Sequence, residues 1–304
     1  MNKHLASIIC PVYNNWPDTK QCLKSISDLD YPKDKLEVII VDNGSLDGTI
    51  QNLIPSNGSS DLRSRQSQIS KLKTKTFSLK LIENKHNVGF AKAINQGIKI
   101  SQGEYLLIIN NDVVLAKNYL LLLVDYLECH SDTGIIGGKI YYQKPKNKLL
   151  FSGLKFNPWT GSINKLPRPN QIKETQWVQG CAMLIKKQVI DRIGLFDEDY
   201  FYSFEDFDFC QRAHRAGFNI IYNPKAIAWH KEGATIDKMG FEKKAYELYK
   251  SKARYISRYC SRLQIVCLLI IQFLIVAPYR KLILRDEYFF VRSMLAGYWY
   301  SLRH

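Results

Sequence analysis

The chain has 304 residues, 46% of them apolar and 12% aromatic, which suffices for one large core or two small ones and excludes an intrinsically disordered protein. Its formal net charge is +15, and the excess is uneven: Lys243 to His304 holds 12 Lys and Arg against three acidic residues, a net of +9. That balance suits a phosphorylated substrate or a membrane face, while nucleic acid is set aside because no recognised nucleic-acid module is visible. The N-terminal stretch MNKHLASIICPVY has too short an apolar run for a secretory signal and reads as a strand. Further strands are predicted at LASIIC (5–10), LEVIIVD (36–42), LKLIEN (79–84) and EYLLIIN (104–110), each short, continuous and bounded by polar turns. Helices are predicted between them, over Pro17–Ser27, Thr49–Ile54 and Gly89–Ser101. Such alternation implies a mostly parallel α/β sheet with helices on both faces.

Residues 56–76, Ser-rich and without apolar period, are expected to form a mobile surface loop. After Tyr142 the pattern becomes mixed. KLLFSGLKF, TQWVQGCAMLIKK and NIIYNPKAIAWH read as strands, and residues 204–218 as a helix closed by Gly217. One α/β domain is therefore expected over 1–239, with a parallel half at about 1–115 and a mixed half at about 116–239. A helical, basic and apolar tail follows at 240–304. The seven scattered cysteines include no C-x-x-C pair, which argues against a zinc ribbon and for reduced thiols in a cytosolic protein.

In an open α/β sheet, ligands bind beyond the carboxyl ends of the strands. Four strand ends here carry Pro11-Val12-Tyr13-Asn14, Asp42-Asn43-Gly44-Ser45, Asn84 with Asn87-Val88-Gly89, and Asn110-Asn111-Asp112. Carboxamides, two carboxylates and a phenol converging in this way point to a pocket. Neither G-x-x-x-x-G-K-[ST] nor G-x-G-x-x-G occurs, so the usual phosphate cradles are missing. The groups present suit sugar and base hydroxyls and a hard divalent cation such as Mg²⁺ or Mn²⁺, with Asp112 as its natural ligand. The competing reading is that Asp112 only caps a following helix. A second acidic cluster, Glu205-Asp206-Phe207-Asp208, lies among aromatics. On a helix Glu205 and Asp208 would share a face and Asp206 would point elsewhere, with Arg212 and Arg215 one turn later as possible ion-pair partners. An acid here can serve as a general base or simply complement the helix dipole. His230 ends the strand AIAWH, and both a metal ligand and a satisfied polar group remain open for it.

Taken together, SIICPVYNN, VIIVDNGSLDGT, NVGFAKAINQGI, GEYLLIINNDV, QGCAMLIKK, FDEDYFYSFEDFDFCQRAHRAGF and AWHKEGAT, in this order, resemble family 2 glycosyltransferases with the GT-A fold, of the rhamnosyltransferase-like branch. The resemblance covers about residues 5–235. It implies a Rossmann-like, mostly parallel sheet with a mixed second half, the first half (about 1–115) binding nucleotide and the second (about 116–239) binding acceptor. It also implies an inverting, metal-dependent hexosyltransferase that takes a nucleoside-diphosphate sugar with Mg²⁺ or Mn²⁺ and acts in bacterial cell-surface polysaccharide synthesis. Pro11 and Tyr13 match the wall of the base pocket and Asp42 the acid that contacts the base. Asn87, Gly89, Asn110 and Asn111 are expected beside them in the nucleotide-sugar site. NND stands where the family has D-x-D: Asp112 keeps the metal-binding acid, and Asn110 replaces the first Asp at the ribose. Asp206 matches the catalytic base, with Glu205 and Asp208 as acceptor or supporting acids, and His230 matches the second metal ligand. The implied acceptor is a glycan or a lipid-linked sugar.

The stretch Leu263 to Tyr279 is uncharged over 17 residues, short of the ~20 a spanning helix needs. Arg254, Arg258 and Arg262 precede it, and Arg280, Lys281 and Arg285 follow, which suits a helix lying on an anionic surface at the inner face of the cell membrane. A helical hairpin packed on the catalytic domain and a true span are the other readings. Two rival functions also stand. A non-catalytic carbohydrate-binding protein on this scaffold would bind no nucleotide with Mn²⁺, and a nucleotidyltransferase would want a basic phosphate-binding signature near PVYNNWPD.

Overall fold

The computed structural model describes residues 3–53, 70–73, 77–166, 169–231, 241–271 and 274. The first half runs β1 (Ala6–Val12), α1 (Trp16–Ser27), β2 (Leu36–Asp42), α2 (Thr49–Leu53), β3 (Ser70–Lys73), β4 (Ser78–Glu83), α3 (Phe90–Ile100) and β5 (Tyr105–Ile109). Strands β4, β2, β1 and β5 lie side by side and parallel. Every residue of β1, β2 and β5 is buried, which explains their nearly continuous apolar runs, broken only by Ser7, Glu37 and the terminal Asp42: strands covered on both faces have no reason to alternate. Ile8, Ile9 and Val38 to Val41 have no exposed surface, and each such side chain contributes about 1.5–3 kcal/mol by leaving water. Gly97 lets α3 approach β1 closely, since a Cβ there would stand 2.4 Å from Ile9 Cγ2.

The second half runs β6 (Val113–Leu115), α4 (Tyr119–Cys129), β7 (Thr133–Tyr142), β8 (Leu149–Phe151), β9 (Leu154–Phe156), β10 (Ile163–Lys165), β11 (Lys173–Glu174), β12 (Ala182–Lys186), α5 (Lys187–Ile193), α6 (Glu205–Arg215) and β13 (Asn219–His230). Strand β12 runs antiparallel between β5 and β7, and β13 lies parallel to β7. The short β6 pairs antiparallel with the end of β13, joining Val113 to His230. The mixed character expected after Tyr142 is thus present, and it begins already at β6.

The loop expected over 56–76 needs correction. Ser70–Lys73 forms β3, antiparallel to β4 at the sheet edge, where backbone pairing makes a strand from a sequence without an apolar period. Residues 54–69 and 74–76 lie outside the described residues.

Two helices follow β13: α7 (Phe241–Tyr259) and α8 (Arg262–Ile271). Helix α7 joins the core. Tyr255 and Ile256 are buried, and the Tyr255 ring meets Phe156 edge-on at 5.3 Å. Arg254 and Arg258 were expected to flank a membrane segment as free cations. Instead Arg254 pairs with Asp197 and Asp199, and Arg258 with Asp197 and Asp208. Helix α8 buries Leu268 but exposes Leu263, Val266 and Ile270, and Leu274 beyond it is exposed as well. No helix among the described residues is long and apolar enough to cross a membrane. Most of 272–304, including the rest of the apolar run, lies outside the described residues.

Candidate active site

The chain leaves β1 to build β2 and β4 on one side, then returns to place β5 on the other side of β1. That reversal opens a crevice at the carboxyl ends of β1 and β5. A cavity of about 330 Å³ lies there. One wall comes from Pro11, Val12 and Tyr13 at the end of β1, Asn43 after β2, and Asn87, Gly89 and Phe90 leading into α3. Asn110, Asn111 and Asp112 form the floor after β5. The opposite wall comes from Trp177, Gln179, Gly180 and Cys181 before β12, Phe201 to Ser203, Glu205 and Asp206 at the start of α6, and His230 at the end of β13.

The first wall is fixed by carboxamides. Asn84 Nδ2 donates to Asn43 Oδ1 at 2.9 Å, Asn43 Nδ2 donates to the Gly89 carbonyl at 3.3 Å, and Asn87 Oδ1 accepts the Gly89 N–H at 2.9 Å. Gly89 sits at φ 91°, and a Cβ there would meet the Phe201 ring at 3.0 Å, so glycine is required both by the backbone and by the opposing wall. Asp42 stands behind this wall and does not line the cavity. Its Oδ2 accepts the N–H groups of Gly44 and Ser45 at 3.0 and 2.9 Å, while Oδ1 is buried without a partner. Burial raises its pKa, against the lowering effect of the Ser45 and Gly44 donors. Asn111 lines the cavity, but its amide ties the floor to α1 through Thr19 Oγ1 at 2.9 Å.

Asp112 is no helix cap. It is followed by β6, and α4 begins seven residues later behind Asn118. Its Oδ1 lies 3.0 Å from His230 Nε2, and both side chains are nearly buried. Burial opposes protonation of His230, but Cys181 and Asp112 beside it outweigh burial and raise its pKa well above the usual imidazole value. A carboxylate oxygen and an imidazole nitrogen held this close are a donor set that fits Mg²⁺ or Mn²⁺, ions that bind through one or two protein groups and complete their shell with phosphate and water. Among the described residues no three His, Cys, Asp or Glu come together in a group that could hold a metal ion.

The acids of α6 are arranged differently from the helical-wheel expectation. Ser203 and Phe204 are both left-handed, at φ 64° and 68°, and this turn delivers Glu205 and Asp206 together into the cavity. Two such residues cost about 1–3 kcal/mol each, a cost that recurs at functional turns. Asp206 Oδ2 accepts the Gly180 N–H at 2.8 Å, and Oδ1 accepts the Phe207 N–H at 2.9 Å. Burial raises its pKa to about 6, although those N–H groups favour the carboxylate. Burial, reinforced by the neighbouring Asp206 charge, raises Glu205 well above the usual carboxyl value, and its Oε2 has no partner. Asp208, expected to share a face with Glu205, points away from the cavity. It is fully buried between Arg212 Nε at 2.8 Å, Tyr259 Oη at 2.7 Å and Arg258 Nη1 at 3.2 Å. Arg215 stands over the Tyr259 ring at 4.6 Å.

Seven buried side-chain polar atoms among the described residues lack a partner. Four belong to cavity residues, namely Asn110, Trp177, Glu205 and His230, and a fifth belongs to Asp42. Each atom that stays unpaired costs about 1–3 kcal/mol, and Asn110 Oδ1 and Glu205 Oε2 belong to residues that line the cavity. Trp177, Gln179 and Phe201 to Ser203 were not anticipated as site residues. Gly180 offered a signal, since only a small residue fits beside an acid: a Cβ there would lie 3.3 Å from Asp206 Cβ.

A mostly parallel sheet with this switch point, extended by an antiparallel strand and closed by an acid–histidine pair, is the GT-A glycosyltransferase architecture. The chain belongs to glycosyl transferase family 2: residues 7–194 match that family, and residues 105–302 match Glycosyl transferase family group 2. It is 25% identical over 226 residues to Glycosyltransferase AglE of Haloferax volcanii, covering 74% of this chain and 66% of that protein. It is 23% identical over 256 residues to the N-acetylglucosaminyl-diphospho-decaprenol L-rhamnosyltransferase of Mycobacterium tuberculosis, covering 75% and 76%. Across the curated relatives with the strongest matches, the chain spans from about half to two thirds of their length. Its fold matches that of the mannosyltransferase PcManGT of Pyrobaculum calidifontis, solved with GDP-Man and Mn²⁺, with a TM-score of 0.60 and 16% identity over 99% of this chain and 88% of that one.

Proposed function

We propose that the protein transfers a hexose from a nucleoside-diphosphate sugar to an acceptor hydroxyl, with inversion at the anomeric carbon, in the synthesis of a cell-surface polysaccharide. One observation carries this reading: the Asp206 carboxylate and the Asp112–His230 pair face one cavity from different elements. Pro11, Tyr13, Asn87 and Gly89 would hold the nucleoside, with Asp42 supporting that wall from behind through the Gly44 and Ser45 N–H groups and Asn110 offering its unpartnered Oδ1 to the ribose. Asp112 and His230 would hold Mg²⁺ or Mn²⁺, which when bound offsets charge on the departing diphosphate. Asp206 takes the proton of the acceptor hydroxyl. The freed oxygen forms the new bond to the anomeric carbon, and the bond to the diphosphate breaks with its electron pair on the leaving group. The N–H groups of Gly180 and Phe207 fix the carboxylate for that transfer. No covalent enzyme intermediate is required.

Residues 1–239 together with α7 form the catalytic unit in this reading, and the exposed apolar stripe of α8 rests on an anionic membrane at the cytoplasmic face, near a lipid-linked acceptor. The deciding experiment is donor hydrolysis across a panel of nucleoside-diphosphate sugars, with and without Mn²⁺. Metal-dependent release of nucleoside diphosphate from one donor supports the reading, and binding without turnover by any donor or acceptor points to a non-catalytic protein.

A further inference from the structure

The turn that presents Glu205 and Asp206 is held from outside the cavity. Consecutive left-handed residues such as Ser203 and Phe204 persist only where their surroundings over-determine them. Helix α6 supplies no side-chain cap of its own at this end. The surroundings are α7. Ser251 Oγ donates to the Tyr202 carbonyl at 2.8 Å. The Tyr255 ring lies 5.7 Å from Phe204 and 5.5 Å from Phe207. Arg254 and Arg258 grip Asp197 upstream of the turn, and Arg258 and Tyr259 grip Asp208 downstream of it. These contacts span residues 197–208, and no residue of α7 lines the cavity.

We propose that α7 is a positioning element of the active centre, in which Tyr259 and Arg258, acting through Asp208, fix the first turn of α6 so that the Asp206 carboxylate faces the acceptor. The inference rests on Asp206 being the base. Its physical content is a rotation. If the first turn of α6 pivots, Asp206 loses the Gly180 N–H at 2.8 Å and moves relative to the acceptor oxygen. Tyr259 donates to Asp208 Oδ1, two residues from Asp206, and so resists that pivot without touching substrate.

Tyr259→Phe in the full chain is the test. It deletes one hydroxyl and keeps the ring against Tyr255 at 4.8 Å and under Arg215. The expected result is a kcat lower by about tenfold, within what an ångström-scale misplacement costs, with donor KM unchanged. Hydrogen–deuterium exchange should quicken in the peptide covering residues 201–210. In an Asp206→Asn background the same change should lower the rate no further. Ser251→Ala, at the other end of the contact, should act in the same direction. A wild-type kcat in both variants well below their melting temperatures, with unchanged exchange at 201–210, overturns the inference even if stability falls. Full turnover by Asp206→Asn alone would instead overturn the base assignment. An inactive Asp206→Asn beside normal Tyr259→Phe and Ser251→Ala would remove only the role of α7.

Discussion

His230 Nε2 lies 3.0 Å from Asp112 Oδ1, so the last residue of β13 meets the turn that ends β5. The β6–β13 pairing, with His230 opposite Val113, fixes that contact through the backbone. Neither side chain reaches the other by sequence proximity; the sheet brings them together. If they hold a divalent cation, excess EDTA should abolish transfer and Mn²⁺ should restore it. Asp112→Asn should weaken Mn²⁺-dependent nucleotide binding, measured by calorimetry, by at least the ~10–100-fold that loss of even an outer-shell partner costs. Full activity in EDTA would remove the metal from the reaction.

Asp206→Asn keeps the shape of the side chain and removes its basicity. Turnover should fall about 10²–10⁴-fold, the usual contribution of positioned proton transfer, while donor affinity stays near wild type. The pH dependence follows from the raised pKa of about 6. The competent form is the carboxylate, so kcat/KM should rise with pH through that value and level off above it. A profile without this acid limb, or a folded Asp206→Asn with full activity, would place the base elsewhere.

Glu205 makes a prediction about stability. Burial and the Asp206 charge raise its pKa in the folded state above the unfolded value. The folded protein therefore binds the proton more tightly, and stability present at low pH is lost as pH rises through the folded pKa. Glu205→Gln should then raise the melting temperature at pH 7 to 8, and the gain should shrink toward pH 4. The gain comes from removing the titratable proton alone, since the carboxamide keeps a polar atom where Oε2 lies. Equal melting curves for the two proteins across this range would contradict it.

Asp208 should behave in the opposite way. Asp208→Asn leaves Arg212, Arg258 and Tyr259 converging on a neutral group. Breaking a buried pair from one side costs about 3–5 kcal/mol, reduced here because Arg212 and Arg258 are 24% and 39% exposed. Urea denaturation should show a lower midpoint with an unchanged slope.

The membrane reading now rests on α8. Leu263, Val266 and Ile270 of α8 are exposed at spacings of three and four residues, one stripe of that helix, and Leu274 beyond it is exposed too. Leu263→Glu with Val266→Glu should reduce co-sedimentation with anionic vesicles at low salt and leave turnover on a water-dispersed acceptor intact. Unchanged sedimentation would assign vesicle binding to another surface. Deletion from Gly240 is the wrong probe, because it also removes the arginines and tyrosines that α7 gives to the core.

Much of the parallel half was legible because burial on both faces leaves strands such as β5 apolar throughout, and the polar strand ends then stand out. The base-side wall could be located from those ends alone. Edge strand β3 was hidden because its pairing is made by backbone, while its residues read as a loop. The roles within Glu205 to Asp208 were misassigned because a helical wheel assumes a regular helix start, and the left-handed Ser203–Phe204 turn rotates that start. Arg254 and Arg258 looked like membrane contacts because their acceptors, Asp197 and Asp208, lie some fifty residues upstream.

The order of strands has a consequence for synthesis of the protein. The wall that begins at Pro11 and the floor that ends at Asp112 are made within little more than the first third of the chain, but that acid lacks an imidazole until β13 takes its place beside β7 and β6. Domains fold as units while the chain is still growing, the N-terminal part first. A nascent chain halted before Asn219 would thus carry every lining residue of the crevice except His230, and Asp112 would stand without its imidazole partner. Competence for the donor would arrive late and all at once, when one strand threads into its slot, which protects a partly made enzyme from trapping a charged sugar nucleotide it cannot yet use.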